Sequence, residues 1–230
     1  MKIAKLEPSK HKAGRWLVWF EDGSLLRVGE SEVVSLSLYT GKELTEDEAE
    51  TLAEAAGQSK LNARAVELLS ARPMSRKELV DKLSAPVRRR RKPGEDVTEP
   101  DPETLARERE GLRRGAEKAA DRLEELGLLN DGEYARTVVR HYSAKGYGVR
   151  KLRDELYRRG VPRELWEDAL AELEPDTSGI DRLLAQKLRG AEPTRENLKR
   201  ASDYLARRGF GWEEISAAIE RARRQREAEE

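Results

Sequence analysis

Two hydrophobic periods run through this chain. Near the N-terminus, apolar residues crowd into short β-branched and aromatic runs: "RWLVWF" and "LLRV" flank Glu21-Asp22-Gly23-Ser24. An Asp-Gly pair between such runs predicts a β-hairpin with a type I′ turn. "KIAKLE" is placed to add a third strand. "TEDEAETLAEAAG" then opens with a threonine and an acidic first turn and closes at Gly57, which predicts a helix capped at both ends. Beyond it the apolar positions recur every three or four residues and the chain reads as helix. Val149, Leu152 and Leu156 fall on one side of a 3.6-residue helix, with Arg150, Lys151, Asp154, Glu155 and Arg158 on the other.

The helical part repeats. "ELYRRGVPRELWEDAL" from Glu155 aligns with "YLARRGFGWEEISAAI" from Tyr204. Leu156 then matches Leu205, Arg158-Arg159 match Arg207-Arg208, and Gly160 matches Gly209. A fainter copy is "ELVDKL" from Glu78, with Leu79 and Leu83 at the places of Leu152 and Leu156. Each copy fits three helices, the second ending at Arg-Arg-Gly or its equivalent. Periods of this length mean units whose cores are completed by neighbours. The predicted fold is mainly α: three tandem three-helix repeats in an elongated curved stack, with a small N-terminal β-hairpin or three-stranded element. The expected divisions are an N-terminal extension over 1–58, a first repeat over 59–130, a second over 131–175, and a third with a charged tail over 176–230. The first repeat is interrupted: "PVRRRRKPGEDVTEPDPETLARERE" carries four prolines and an all-basic block from Arg88 to Lys92. Such composition buries too little apolar surface to offset its ordering entropy. A mobile insertion over 85–115 is expected, with a helical end near Leu105 to Leu112, before the third helix of the repeat resumes near Ala116.

Charge sharpens the picture. Of 230 residues, 39% are charged and 37% hydrophobic, which suits slim helical layers better than one thick globule. Lys plus Arg and Asp plus Glu are both 45, so only their distribution informs. Residues 1–58 hold 7 basic and 11 acidic side chains, and residues 140–159 hold 7 basic and 2 acidic. There is no cysteine, which removes disulfides and thiolate chemistry and fits a reducing compartment. With no long apolar run or signal-peptide core, a cytoplasmic protein without membrane contact is expected.

Candidate chemistry is sparse. The two histidines, His11 and His141, are far apart in sequence, so no metal site is expected. Gly146-Tyr147-Gly148 follows a helix and lacks a third glycine, so it is no dinucleotide fingerprint. No phosphate-binding loop or nucleophile elbow is present. No cofactor, no catalytic residue and no enzyme activity are expected.

The sequences "LLNDGEYARTVVRHYSAKGYGVRKLRDELYRRGV", "AVELLSARPMSRKELVDKL" and "YLARRGFGWEEISAAI" resemble the three tandem repeats of the bacterial RecX regulatory proteins. The resemblance covers residues 60–84 and 116–223, and the N-terminal hairpin resembles the β-rich extension of many members. The insertion from Ala85 to Gly115 departs from the short link usual there. The resemblance implies three-helix units, binding to the RecA recombinase filament on DNA, and restraint of ATP hydrolysis and strand exchange. With the local excess of positive charge, it nominates Lys145, Tyr147, Arg150, Lys151 and Arg158 as contacts, with Arg207 and Arg208 as their counterparts in the last repeat. A monomer is expected, with secondary affinity for single- or double-stranded DNA. Two other readings stay open: a direct DNA-binding protein of helix-turn-helix-like units, and a helical adaptor for another protein. Asp154–Arg158 and Glu155–Arg159 have the spacing of self-paired surface charges, so a solvated helix face also fits.

Overall fold

The computed structural model describes residues 1–11, 13–85, 101–173, 177–189 and 194–229. Three strands, β1 (Ile3–Pro8), β2 (Arg15–Phe20) and β3 (Leu25–Gly29), form an antiparallel sheet with β2 central. "KIAKLE" thus supplies the third strand. Side chains alternate across the sheet: Val18 and Phe20 are buried, Trp16 packs on the same core, and Trp19 on the opposite face is 36% exposed. The turn differs from the expected type I′, which needs positive φ at both central residues. Here only Gly23 has positive φ, at 81°. Its N–H donates to the Phe20 carbonyl, while the Asp22 carboxylate accepts from the Ser24 N–H and hydroxyl. Asp22 therefore holds the conventional turn that precedes a left-handed glycine.

After α1 (Glu30–Ser35), the long α2 (Glu46–Ala71) covers the sheet with Leu52 and Ala56. Thr45 and Glu48 form the expected reciprocal cap, Thr45 accepting from the Glu48 N–H at 3.2 Å and Glu48 accepting from the Thr45 N–H at 3.0 Å. The helix does not stop at Gly57 as predicted. It runs 26 residues, because strong helix formers on both sides of the glycine outweigh its cost of about 1 kcal/mol.

The remaining helices are α3 (Arg76–Ser84), α4 (Pro102–Glu125), α5 (Asp131–Ala144), α6 (Val149–Arg158), α7 (Trp166–Ala171), α8 (Ser178–Leu188), α9 (Arg195–Arg207) and α10 (Trp212–Glu229). The Arg88–Lys92 block lies outside the described residues. Helix resumes at Pro102, with the Asp101 side chain accepting from the Glu103 and Thr104 N–H groups, so the last part of the expected insertion is the front of α4.

Two compact units result, one of residues 1–73 and 79–129, the other of residues 74–78 and 130–230. In the first, the sheet packs on α2, and α2 packs on α4 through Gly115, where an added Cβ would lie 2.6 Å from Leu61 Cδ1. The second holds two successive triplets. Tyr134, Val138, Val139, Leu152, Leu156 and Ala169 make the core of α5–α6–α7, and Ile180, Leu184, Ala201, Leu205, Ile215 and Ala218 make that of α8–α9–α10. The alignment of Leu156 with Leu205 reappears here, both side chains being fully buried.

A cationic joint between successive helices as candidate functional site

In the second unit, α6 and α9 meet end to start. A helix start leaves N–H groups unpaired and a helix end leaves carbonyls unpaired, and here the two sets satisfy each other. Gly148 N–H donates to the Arg208 carbonyl at 3.0 Å and Arg150 N–H to the Gly209 carbonyl at 3.1 Å. The approach is possible because neither glycine has a Cβ. One added at Gly148 would sit 2.5 Å from the Gly209 oxygen, and one at Gly209 would sit 2.5 Å from Lys151 Cβ. Gly209 also has φ of 91°, a region other residues rarely adopt.

The same joint recurs where the beginning of α3 meets the end of α6. Ser75 hydroxyl donates to the Arg159 carbonyl at 2.5 Å, the Arg76 N–H to Asp131 Oδ1 at 2.7 Å, and the Lys77 stem covers Gly160. Ser75, Lys77 and Leu79 thus stand where Gly148, Arg150 and Leu152 stand one repeat later. Gly160 and Gly209 are therefore more than the helix ends read from sequence. Each gives the second helix of the preceding triplet room to dock.

The joint sorts the nominated residues. In each Arg-Arg-Gly the first arginine, Arg158 or Arg207, is exposed, while the second folds inward. Arg159 donates to the Tyr134 and Tyr142 hydroxyls at 3.2 and 2.9 Å and lies over the Tyr142 ring. Burial works against its charge, but these two hydroxyl bonds prevail and hold the guanidinium above its ordinary value. Arg208 donates to the Lys145 and Gly146 carbonyls at 2.9 and 3.1 Å, between the rings of Tyr147 and Tyr204 at 5.1 and 5.2 Å. Its fork closes the joint. Tyr147, half-buried, packs on the α5–α7 core and against Tyr142 at 5.9 Å. Lys145 lies 5.5 Å from the Tyr142 ring, and Lys187 lies 4.4 Å from the Tyr204 ring. Cations and rings thus form a continuous series from Lys187 through Tyr204, Arg208, Tyr147 and Tyr142 to Lys145, its cation–ring contacts worth about 0.5–1 kcal/mol each where exposed.

Glu155 tempers the charge on α6. It is only 5% exposed and lies within 3.5–3.8 Å of Lys151, Arg158 and Arg159. The expected Glu155–Arg159 pair is present, but Arg158 turns to Glu155 and not to Asp154. One carboxylate thus serves three cations. Among the described residues Lys145, Arg150, Lys187 and Arg207 have no carboxylate partner. The structure brings Lys145, Tyr147, Arg150, Lys151 and the Arg207-Arg208 pair to one joint. Arg158 lies at the other end of α6, about 12 Å from Arg150 at 1.5 Å per residue, beside the first turn of α3. Sequence reasoning missed Arg159, Lys187 and Lys77. Only the repeated arginine pair could have signalled Arg159.

Among the described residues no group of His, Cys, Asp or Glu could hold a metal ion, and no helix is long and apolar enough to cross a membrane. His141 stacks edge-on against Tyr142 at 5.2 Å. Fixed donors and cations on a rigid helix pair are suited to holding an anionic surface in place.

The fold and this joint define a class: a protein of tandem three-helix units joined through their second helices. Residues 130–170, which span α5 to α7, match the family model described as RecX, second three-helix domain. A regulatory protein RecX of Xanthomonas axonopodis pv. citri is 34% identical over 157 residues, 67% of this chain and 83% of that protein. One of Pseudomonas entomophila is 35% identical over 106 residues, 45% of this chain and 68% of the relative. One of Clostridioides difficile is 23% identical over 222 residues, covering 94% and 93% of the two chains. A crystal structure of a regulatory protein RecX has the same fold, with a TM-score of 0.70 at 23% identity over 95% of this chain and 98% of that one. The chain belongs to the RecX family of regulatory proteins.

Proposed function

We propose that this protein binds the RecA filament on DNA through the cationic joints and thereby restrains RecA ATP hydrolysis and strand exchange. The observation that carries the reading is the exposed set Lys145, Arg150 and Arg207, which gathers at one joint without a carboxylate partner in a chain whose overall charge is zero. Positive charge placed at a repeating joint suits a partner that itself repeats. No covalent step is needed: occupancy of the filament impedes the subunit movements that accompany nucleotide turnover. Electrostatic contacts of this kind weaken steeply as salt is added.

The test is a triple reversal, Lys145→Glu, Arg150→Glu and Arg207→Glu, assayed on RecA ATP hydrolysis with single-stranded DNA. Helicity and melting temperature should be retained while inhibition is lost. A folded triple variant that inhibits fully rejects this surface. Binding of the wild-type chain to bare DNA as tightly as to the filament would favour a direct DNA-binding protein, and binding to neither would favour an adaptor for another protein.

A further inference from the structure

A second cationic surface lies in the first unit, and it is built differently. A groove of ≈ 1470 Å³ runs along α2 and α4 and reaches the end of α3. Its cations include Arg15, Lys60, Arg64, Lys82, Arg114 and Lys118, against two carboxylates, Glu54 and Glu67. Glu67 already pairs with Arg64 at 2.7 Å.

The contrast within α4 is the informative point. Away from the groove three of its four arginines are neutralised on the helix itself, Arg107 by Glu103, Arg113 by Glu117 and Arg122 by Glu125, and the fourth, Arg109, is not. Arg114 and Lys118, which line the groove, have no carboxylate partner among the described residues, nor do Lys60 and Arg15. The floor is apolar, with Leu61 half-buried and Leu112 39% exposed. Gly57 and Gly111 sit in helix interiors, where each costs about 1 kcal/mol relative to alanine. Gly115 is needed for packing, but Gly57 and Gly111 have nothing within 4 Å of an added Cβ. That cost returns nothing inside the unit, and it leaves backbone open to a visitor.

We infer that this groove docks an acidic amphipathic helix of a partner protein, its carboxylates meeting Lys60, Arg114 and Lys118 and its apolar side lying on Leu61 and Leu112. Small-molecule pockets hold roughly 300–1,000 Å³, and this groove is larger. Its lining has no aromatic residue, so it lacks the platforms on which unpaired bases stack. An apolar stripe between rows of charge is the helix-in-groove mode of recognition. The site is separate from the joints proposed to meet the filament, and neither reading rests on the other.

The test is selection from a phage-displayed library of 16-residue peptides against the full-length protein. Enriched peptides should be acidic, with apolar residues at i, i+3 or i+4, and i+7. Their affinity should fall at least tenfold for the variant Lys60→Glu/Arg114→Glu/Lys118→Glu. Gly57→Leu/Gly111→Leu should fill the floor and abolish binding without lowering the melting temperature, which separates occlusion from misfolding. Lys145→Glu/Arg150→Glu/Arg207→Glu should bind the peptides unchanged. Enrichment of neutral or basic peptides, no enrichment, binding that survives both groove variants, or displacement by a 15-nucleotide single strand that binds the groove more tightly would each overturn the inference.

Discussion

Neighbouring lysines and arginines on α6 carry different obligations. Lys151 is half-buried over the shared carboxylate of Glu155, whereas Arg150 points to solvent without a partner. Lys151→Glu places a second carboxylate beside one that is almost fully buried. We expect it to cost roughly 1–3 kcal/mol in urea unfolding, while Arg150→Glu stays within about 0.5 kcal/mol. A loss of inhibition in Lys151→Glu alone would therefore mix folding with contact. The Thr45–Glu48 cap offers a second test at this scale. The Thr45 N–H, and after it the Lys42 ammonium, hold the Glu48 carboxyl below its ordinary value. A depressed folded-state pKa stabilises above the unfolded value of about 4.3, and that stability is lost as pH falls through the folded value. Wild type should thus lose its advantage over Glu48→Gln between about pH 4.3 and the lower folded value, as read by melting temperature against pH. A constant difference across that range would assign the cap no ionic part. Which arginine of Arg-Arg-Gly faces out was not legible in the chain, because both copies carry the same pair. The choice is made by Tyr134 and Tyr142 in one copy and by Tyr147 and Tyr204 in the other, and these come from different positions in the alignment.

At the scale of elements, the joint depends on glycine for two separable reasons, a positive φ and a close approach. Gly23 in the hairpin has φ of 81° and nothing within 4 Å of an added Cβ, whereas Gly209 has φ of 91° and meets Lys151. Gly23→Ala should cost the conformational penalty alone, about 1–2 kcal/mol. Gly209→Ala should cost more, because the start of α6 must also retreat and break the Gly148 and Arg150 N–H bonds, each worth about 0.5–1.5 kcal/mol. Equal costs would mean that the joint yields freely. The expected sign of an opened joint is faster hydrogen exchange at the Gly148 and Arg150 amides in Gly209→Ala. The triplets, the third strand, the Thr45 cap and the burial of Leu152 and Leu156 were legible because period, capping residue and repeat all agree. The joint was not, since a glycine that ends one helix reads the same whether solvent or another backbone lies beyond it. Gly57 misled for the opposite reason: good helix formers on both sides carry α2 through a residue that ordinarily stops one.

For the whole molecule, the division into two units sets what can fold alone. The cores of α5–α7 and α8–α10 are made wholly of residues after Asn130, and the joint between α6 and α9 lies within the same span. From outside it, the bonds of Ser75 to the Arg159 carbonyl and of the Arg76 N–H to Asp131 reach in. A chain of residues 130–229 should therefore be helical by circular dichroism and unfold cooperatively, since both of its triplets keep their cores and the joint between them. It should be less stable than the same residues in the intact protein by about 1–3 kcal/mol, the worth of two such bonds. Ser75→Ala in the full chain should reproduce part of that loss, about 1 kcal/mol, by removing one of the two bonds that the fragment lacks. The fragment also separates the two cationic surfaces, because Lys145, Arg150 and Arg207 remain in it while Lys60, Arg114 and Lys118 do not. Filament binding retained by the fragment, together with loss of the acidic peptides, is the expected result. A fragment that melts without cooperativity would mean that the triplets hold together only in the company of the first unit, and that the joint is too weak to couple them alone.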